Sequence, residues 1–230
     1  MFSFIGILIL GFFLGMRHAT DPDHVVAMMT IVSRQRKVAK AGIIGAIWGI
    51  GHTATILVVG AAIILFKVAI PPRLGLSMEF AVGLMLILLG VLNLTGVMRW
   101  LHDRFTPSAL QIERPDDLGL YNTLRPLIIG TVHGLAGSAA VAILVMTTIG
   151  DPWWSVAYLL LFGLGTVAGM AAMTTAMAFP IVYAGRKMFR WNEAITMGSG
   201  LISVAFGLFI SIQIGFSDGL FSSAPHWIPK

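Results

Sequence analysis

The chain has 230 residues, 57% of them hydrophobic and only 11% charged, with a mean hydropathy of +0.89. A soluble domain carries about 25% charged residues, so the composition points to an all-α integral membrane protein whose partner is the lipid bilayer. Cys is absent, which excludes disulfides, thiolate ligands and thiol redox chemistry. The net charge of +5 lies in short loops between apolar runs, so no nucleic-acid partner is expected.

About 20 apolar residues cross a bilayer core. The first run spans 2–32; with no charged leader or small-residue cleavage site, residues 2–16 of this run read as retained helix and not as a signal peptide. The run is interrupted by Arg17-His18-Ala19-Thr20-Asp21-Pro22-Asp23-His24. Ionisable groups at membrane depth are costly and mark function by default. Imidazole and carboxylate are also ligands of first-row divalent metals. On an unbroken helix His18 and His24 stand about 240° apart and share no face. Pro22 removes an amide donor and clashes with the carbonyl of His18. Asp21-Pro22 reads as an N-cap followed by Pro at the first helical position. The first helix is therefore predicted to break near Pro22, so that His18, Asp21, Asp23 and His24 converge on a buried ion. Arg17 is expected to pair with Asp21 or Asp23.

The second span, 42–66, carries His52 in Gly49-Ile50-Gly51-His52-Thr53, where the glycines admit a neighbouring helix. The third is 78–98. Loop 99–125 is the longest connection; His102, beside Asp103, reads as solvated there. The fourth span, 126–149, holds His133 in Thr131-Val132-His133-Gly134-Leu135-Ala136-Gly137-Ser138. His52 and His133 join the candidate metal ligands. Spans 153–183 and 194–216 follow, then a polar tail, 217–230, with His226 solvated. The 13 Met residues lie mostly on apolar runs and read as packing, not as a copper path. Trp48, Trp100, Trp153, Trp154 and Trp191 read as interfacial anchors. Glu79 and Glu193 are expected to cap span ends, and Asn93, Thr95, Thr174 and Thr175 to hydrogen-bond within or between helices.

Arg34, Arg36, Lys37 and Lys40 share one side of the membrane with Arg99, Arg104, Arg114, Arg125, Arg186, Lys187 and Arg190. The other side has only Lys67, Arg73 and Lys230. The positive-inside rule then gives N-out and C-out in the cytoplasmic membrane. The halves also resemble each other. Gly15-Met16-Arg17-His18 aligns with Gly130-Thr131-Val132-His133, and Val26–Met29 with Val141–Leu144. Trp48–His52 aligns with Phe162–Thr166, and Gly83 and Gly90 with Gly200 and Gly207, at a nearly constant offset. The predicted organisation is a three-span repeat at 1–98, a cytoplasmic loop at 99–125, an inverted three-span repeat at 126–216, and a tail at 217–230. Inverted repeats with broken helices and a midplane site are a transporter signature.

These motifs resemble the nickel/cobalt transporter (NiCoT) family and its short six-span relatives of the urease-accessory membrane protein type. The family signature, His-Ala-x-x-x-Asp-His, stands here as His18-Ala19-Thr20-Asp21-Pro22-Asp23-His24. A second motif, Leu-Gly-His-Ser-Thr-Val-Val, is similar to Ile50-Gly51-His52-Thr53-Ala54-Thr55-Ile56. The resemblance implies Ni²⁺ or Co²⁺ as transported substrate, bound by His18, Asp23, His24 and His52. Eight-span members carry the signature in their second helix; here it is in the first, which fits one leading helix fewer. Their later spans carry Asp motifs, whereas Gly169-Met170-Ala171-Ala172-Met173-Thr174-Thr175 and the stretch around His133 hold no acid. An exporting branch has a His-rich loop, absent from this sequence.

The expected function is a permease for a divalent transition metal, Ni²⁺ before Co²⁺, with uptake preferred. Efflux, or a metal-binding accessory or sensor protein without transport, are the alternatives. No tightly bound cofactor and no nucleotide motif is expected. An intramembrane metalloenzyme is disfavoured: His-Glu-x-x-His is missing, and six His in all are too few for a His-box oxygenase. Oligomeric state is open at this level.

Overall fold

A computed structural model describes residues 4–33, 35, 37–67, 70–97, 120–149, 151–187 and 189–227. Most of the loop predicted at 99–125, with His102, and the last residues of the tail lie outside the described residues. Within them the chain is all helical: α1 (Phe4–His18), α2 (Pro22–Val32), α3 (Val38–Phe66), α4 (Pro72–Leu94), α5 (Leu120–Ile149), α6 (Pro152–Lys187) and α7 (Phe189–Ile212). A π-helical turn, Gln213–Ser217, extends α7. Among the described residues four segments are long and apolar enough to cross a membrane: Val38–Phe66, Pro72–Leu94, Pro152–Tyr183 and Glu193–Ser217. Their outward faces carry Val58, Phe66, Leu164, Phe179 and Phe209, all exposed. Lipid takes such a surface readily and water does not. The chain is a membrane protein.

The first apolar run is broken between His18 and Pro22. Thr20 N–H donates to the carbonyl of Arg17 (2.8 Å) and Asp21 N–H to that of His18 (3.1 Å), a tight turn that ends α1. Asp21 then turns extended, and Pro22, with no N–H to leave unpaired, opens α2. Asp21 occupies the N-cap backbone position, but its carboxylate makes no cap hydrogen bond. That corrects the capping role expected of it; His18 takes the carboxylate instead.

Helix α3 packs against α5 on one side and α6 on the other, α1 lies along α6, and α4 pairs with α7. Glycines make these contacts close. A Cβ on Gly15 would strike the carbonyl of Phe162, and one on Gly130 the carbonyl of Trp48. Gly165 meets the Phe12 carbonyl, and Gly51 that of Leu127. Gly163 lies on Thr53, and Gly49 on Val167. In α4 and α7, Gly83 faces Gly207 and Gly90 faces Gly200, each backbone against the other's carbonyl. Every α1–α6 contact named here has its counterpart between α5 and α3 at the offset of the sequence alignment.

Helix α2 joins the α4–α7 pair through polar side chains. Asn93 Nδ2 donates to the Thr196 carbonyl (3.1 Å) and Ser199 Oγ (3.2 Å), and Thr30 Oγ1 to the Ser199 carbonyl (3.3 Å). Thr95, Thr174 and Thr175 bond to carbonyls of their own helices, as the sequence suggests. Two expectations change. Glu79 lies well inside α4 and accepts from Trp227 Nε1 (2.9 Å), while Glu193 lies a turn inside α7. The tail is therefore not simply solvated: Trp227 packs on Gly75, and Arg73 donates to the Ser222 carbonyl. His226 is exposed, as expected.

Candidate metal centre

His18 closes α1 and His24 lies in the first turn of α2, so the break between them removes the separation an intact helix imposes. His52 stands at the middle of α3, and His133 near the middle of α5. The four rings form one cluster. Ring centroids are 4.6 Å apart for His18 and His24, 4.9 Å for His24 and His52, and 4.2 Å for His24 and His133. His18 Nε2 and His52 Nε2 are 3.2 Å apart. His24, His52 and His133 are buried; the His18 side chain is 16% exposed and that of Asp21 47%, so the centre opens on the side of the helix break.

The carboxylates determine how the rings stand. Asp21 Oδ2 is 2.7 Å from His18 Nδ1. Asp23 bridges two rings, with Oδ1 3.0 Å from His24 Nδ1 and Oδ2 2.9 Å from His133 Nε2. A carboxylate only accepts, so each facing nitrogen is the donor and a neutral ring keeps its lone pair on the other. That leaves His18 Nε2, His24 Nε2 and His133 Nδ1 as available donors of electron pairs. His24 Nε2 and His133 Nδ1 are buried with no hydrogen-bond partner, as is His52 Nδ1. Metal-binding imidazoles are commonly held in this way by carboxylates behind them.

One potential ligand atom each from His18, His24 and His52 lies within 4.8 Å of the others, and the same holds for Asp23, His24 and His133. The spacing of 3.2 Å between the Nε2 atoms of His18 and His52 suits two ligands of one ion with bonds of about 2.0–2.1 Å. All six residues singled out in the sequence thus meet at one place, Asp21 at its edge. The ion pair expected for Arg17 is not formed among the described residues: imidazoles occupy both aspartates, and Arg17 is exposed.

Sequence reasoning missed two aromatic walls. Trp48 is 1% exposed, with its ring 5.5 Å from that of His133 and 5.8 Å from that of His24, so it is no interfacial anchor. Phe162 stands 5.5 Å from His18. The available signal was helical spacing: Trp48 precedes His52 by four residues and shares its face. Trp153 and Trp154 are exposed at the start of α6, as anchors are. Met28 and Met170 are fully buried in the core, which agrees with a packing role.

Urease accessory protein UreH of Bacillus sp. (strain TB-90) is 38% identical over 220 residues, which cover 94% of this chain and 95% of that protein. The chain belongs to the UreH family. Two Arabidopsis thaliana proteins are more distant relatives of this UreH-family chain. Chloroplast protein FOR GROWTH AND FERTILITY 2 is 26% identical over 222 residues, covering 92% of the chain and 57% of the relative. Chloroplast protein FOR GROWTH AND FERTILITY 1 is 25% identical over 236 residues, covering 92% and 60%. No family model matches the chain, and no solved structure does.

Proposed function

We propose that this chain is a secondary transporter for a divalent transition-metal ion, Ni²⁺ ahead of Co²⁺, working in uptake across the cytoplasmic membrane. The observation that carries the reading is the meeting of four imidazoles and Asp23 where the α1–α2 break faces the middles of α3 and α5. Imidazole-rich ligation suits Ni²⁺ or Co²⁺ better than Mg²⁺ or Ca²⁺. The ion is the substrate, and no tightly bound cofactor is involved. His18, Asp21, Asp23, His24, His52 and His133 form the metal-handling set. Membership of the UreH family supports nickel, since a urease accessory protein is tied to that metal; the sequence motifs support kinship with the nickel/cobalt transporters.

The architecture proposed is six spans in two inverted three-helix repeats, N-out and C-out, with α1 and α2 as one broken span. The paired glycine contacts support it, because each α1–α6 approach recurs between α5 and α3. Such repeats place a substrate site between them near the midplane. Inward movement of a divalent ion gains about 4.6 kcal/mol per 100 mV, twice the roughly 2.3 of a single charge, so the membrane potential can drive uptake.

Purified protein in liposomes is expected to take up Ni²⁺, and His18→Ala and His24→Ala each to lose that uptake. Unchanged accumulation in both variants overturns the reading. A second reading, a metal-binding accessory protein that moves no ion, is favoured by the name of the Bacillus relative; bound Ni²⁺ without flux in the same liposomes selects it. Loading inverted against right-side-out vesicles separates uptake from efflux.

A further inference from the structure

The two potential ligand groups share one residue. His18, His24 and His52 form the first, and Asp23, His24 and His133 the second. The second group lies on the Nδ1 side of the His24 ring, which leaves Nε2 for the first. His24 Nδ1 faces Asp23 Oδ1 at 3.0 Å, on the side where Asp23 Oδ2 reaches His133 Nε2 at 2.9 Å. His24 Nε2 is buried and has no hydrogen-bond partner, and the His18 and His52 rings lie at 4.6 and 4.9 Å from the His24 ring. His133 meets Asp23 through Nε2, so in the second group it is Nε2 that lies beside the carboxylate. The groups also differ in origin. The first is drawn wholly from α1, α2 and α3, while the second needs His133 of α5.

We infer that the ion has two adjoining positions on either side of the His24 imidazole, and that transport passes it from one to the other. The inference rests on the transport reading above. The first position is all imidazole: His18, His24 through Nε2, and His52. The second is Asp23, His24 through Nδ1, and His133 through Nε2; each ring's proton moves to its other nitrogen, and coordination replaces the ring-to-carboxylate hydrogen bonds. Because both use His24, only one is filled at a time, and the protein binds a single ion. His133 is thereby a ligand of the second position and dispensable for the first. Trp48 borders the second position through its contacts with His133 and His24, and Phe162 borders the first at His18.

The test compares His52→Ala, His133→Ala and the double variant, with Ni²⁺ as probe. Binding is read by equilibrium dialysis, ligand type by X-ray absorption at the nickel edge, and flux in liposomes. Each single variant is expected to bind one Ni²⁺ while its flux falls about tenfold or more, the scale of loss on removing a metal-site group. The ion in His133→Ala keeps three imidazoles, and that in His52→Ala has two imidazoles and a carboxylate. The double variant binds none. Wild-type flux in either single variant overturns the inference, as does loss of the ion from a monodisperse single variant. Where an Ala variant is not monodisperse, the Asn variant at that position takes its place. Wild-type protein that neither binds nor moves Ni²⁺ overturns the transport reading itself, a result distinct from these.

Discussion

His24 gains its importance from having two ring nitrogens in different surroundings, and Asp23 from having two oxygens on different rings. Removing the charge of Asp23 therefore disturbs two imidazoles at once. Asp23→Asn is expected to weaken Ni²⁺ binding by about 10–100-fold, the range typical of carboxylates behind metal-bound histidines. Asp21→Asn is expected to weaken it less, since Asp21 holds a single ring from a half-exposed position. Isothermal titration of both variants checks the order; equal losses count against the bridging role. The motif marked these residues as candidate metal ligands, because imidazole and carboxylate beside Pro22 are costly in an apolar chain, but it pointed to Arg17 as the partner of the aspartates, where imidazoles stand instead. Which oxygen meets which nitrogen was not legible. His133 is far away in sequence, and only the packing of α5 brings it to Asp23.

At the scale of elements, the break between α1 and α2 is local chemistry. Proline ends one helix and starts the next wherever it occurs in such a run. Helix contacts are a different matter. Gly165 lies against the Phe12 carbonyl, and no side chain can yield there because the obstacle is backbone. Gly165→Val is expected to destabilise the protein by about 1–3 kcal/mol, as overpacking does, and to lower Ni²⁺ binding by pushing α1 and His18 outward. Gly198 has nothing within 4 Å of where its Cβ would lie. Gly198→Ala is expected to leave binding intact and to raise helix stability by up to about 1 kcal/mol. Thermal unfolding of both variants in one detergent checks the contrast. Gly165 falls in the repeat alignment and Gly198 does not, but the alignment does not say which backbone lies opposite either one. The neighbour across the interface makes them different, and a single helix has no information about it. Trp48 was misread for the same reason: it is buried because α5 crosses α3 at Gly130, next to its carbonyl.

For the whole molecule, the proposed N-out, C-out orientation rests on where the basic residues fall. With no native Cys, single cysteines give a clean readout. A membrane-impermeant maleimide on intact cells is expected to label Ser223→Cys, on the tail, and not Ala39→Cys, at the start of α3. The opposite pattern reverses the orientation and, with it, the side on which the metal centre opens.

The sequence by itself determined that the chain is a membrane protein, where its apolar runs lie, that the first of them breaks at Pro22, and that His18, Asp21, Asp23, His24, His52 and His133 are the candidate metal ligands. Those are consequences of composition, of helix geometry and of the high cost of ionisable groups in lipid, all of which act over a few residues. Only the tertiary structure decided that His133 shares Asp23 with His24, that Trp48 and Phe162 wall the centre, and that Trp227 binds the tail to α4. These depend on backbones from distant segments approaching within van der Waals contact, and the glycines that permit it have meaning only in pairs.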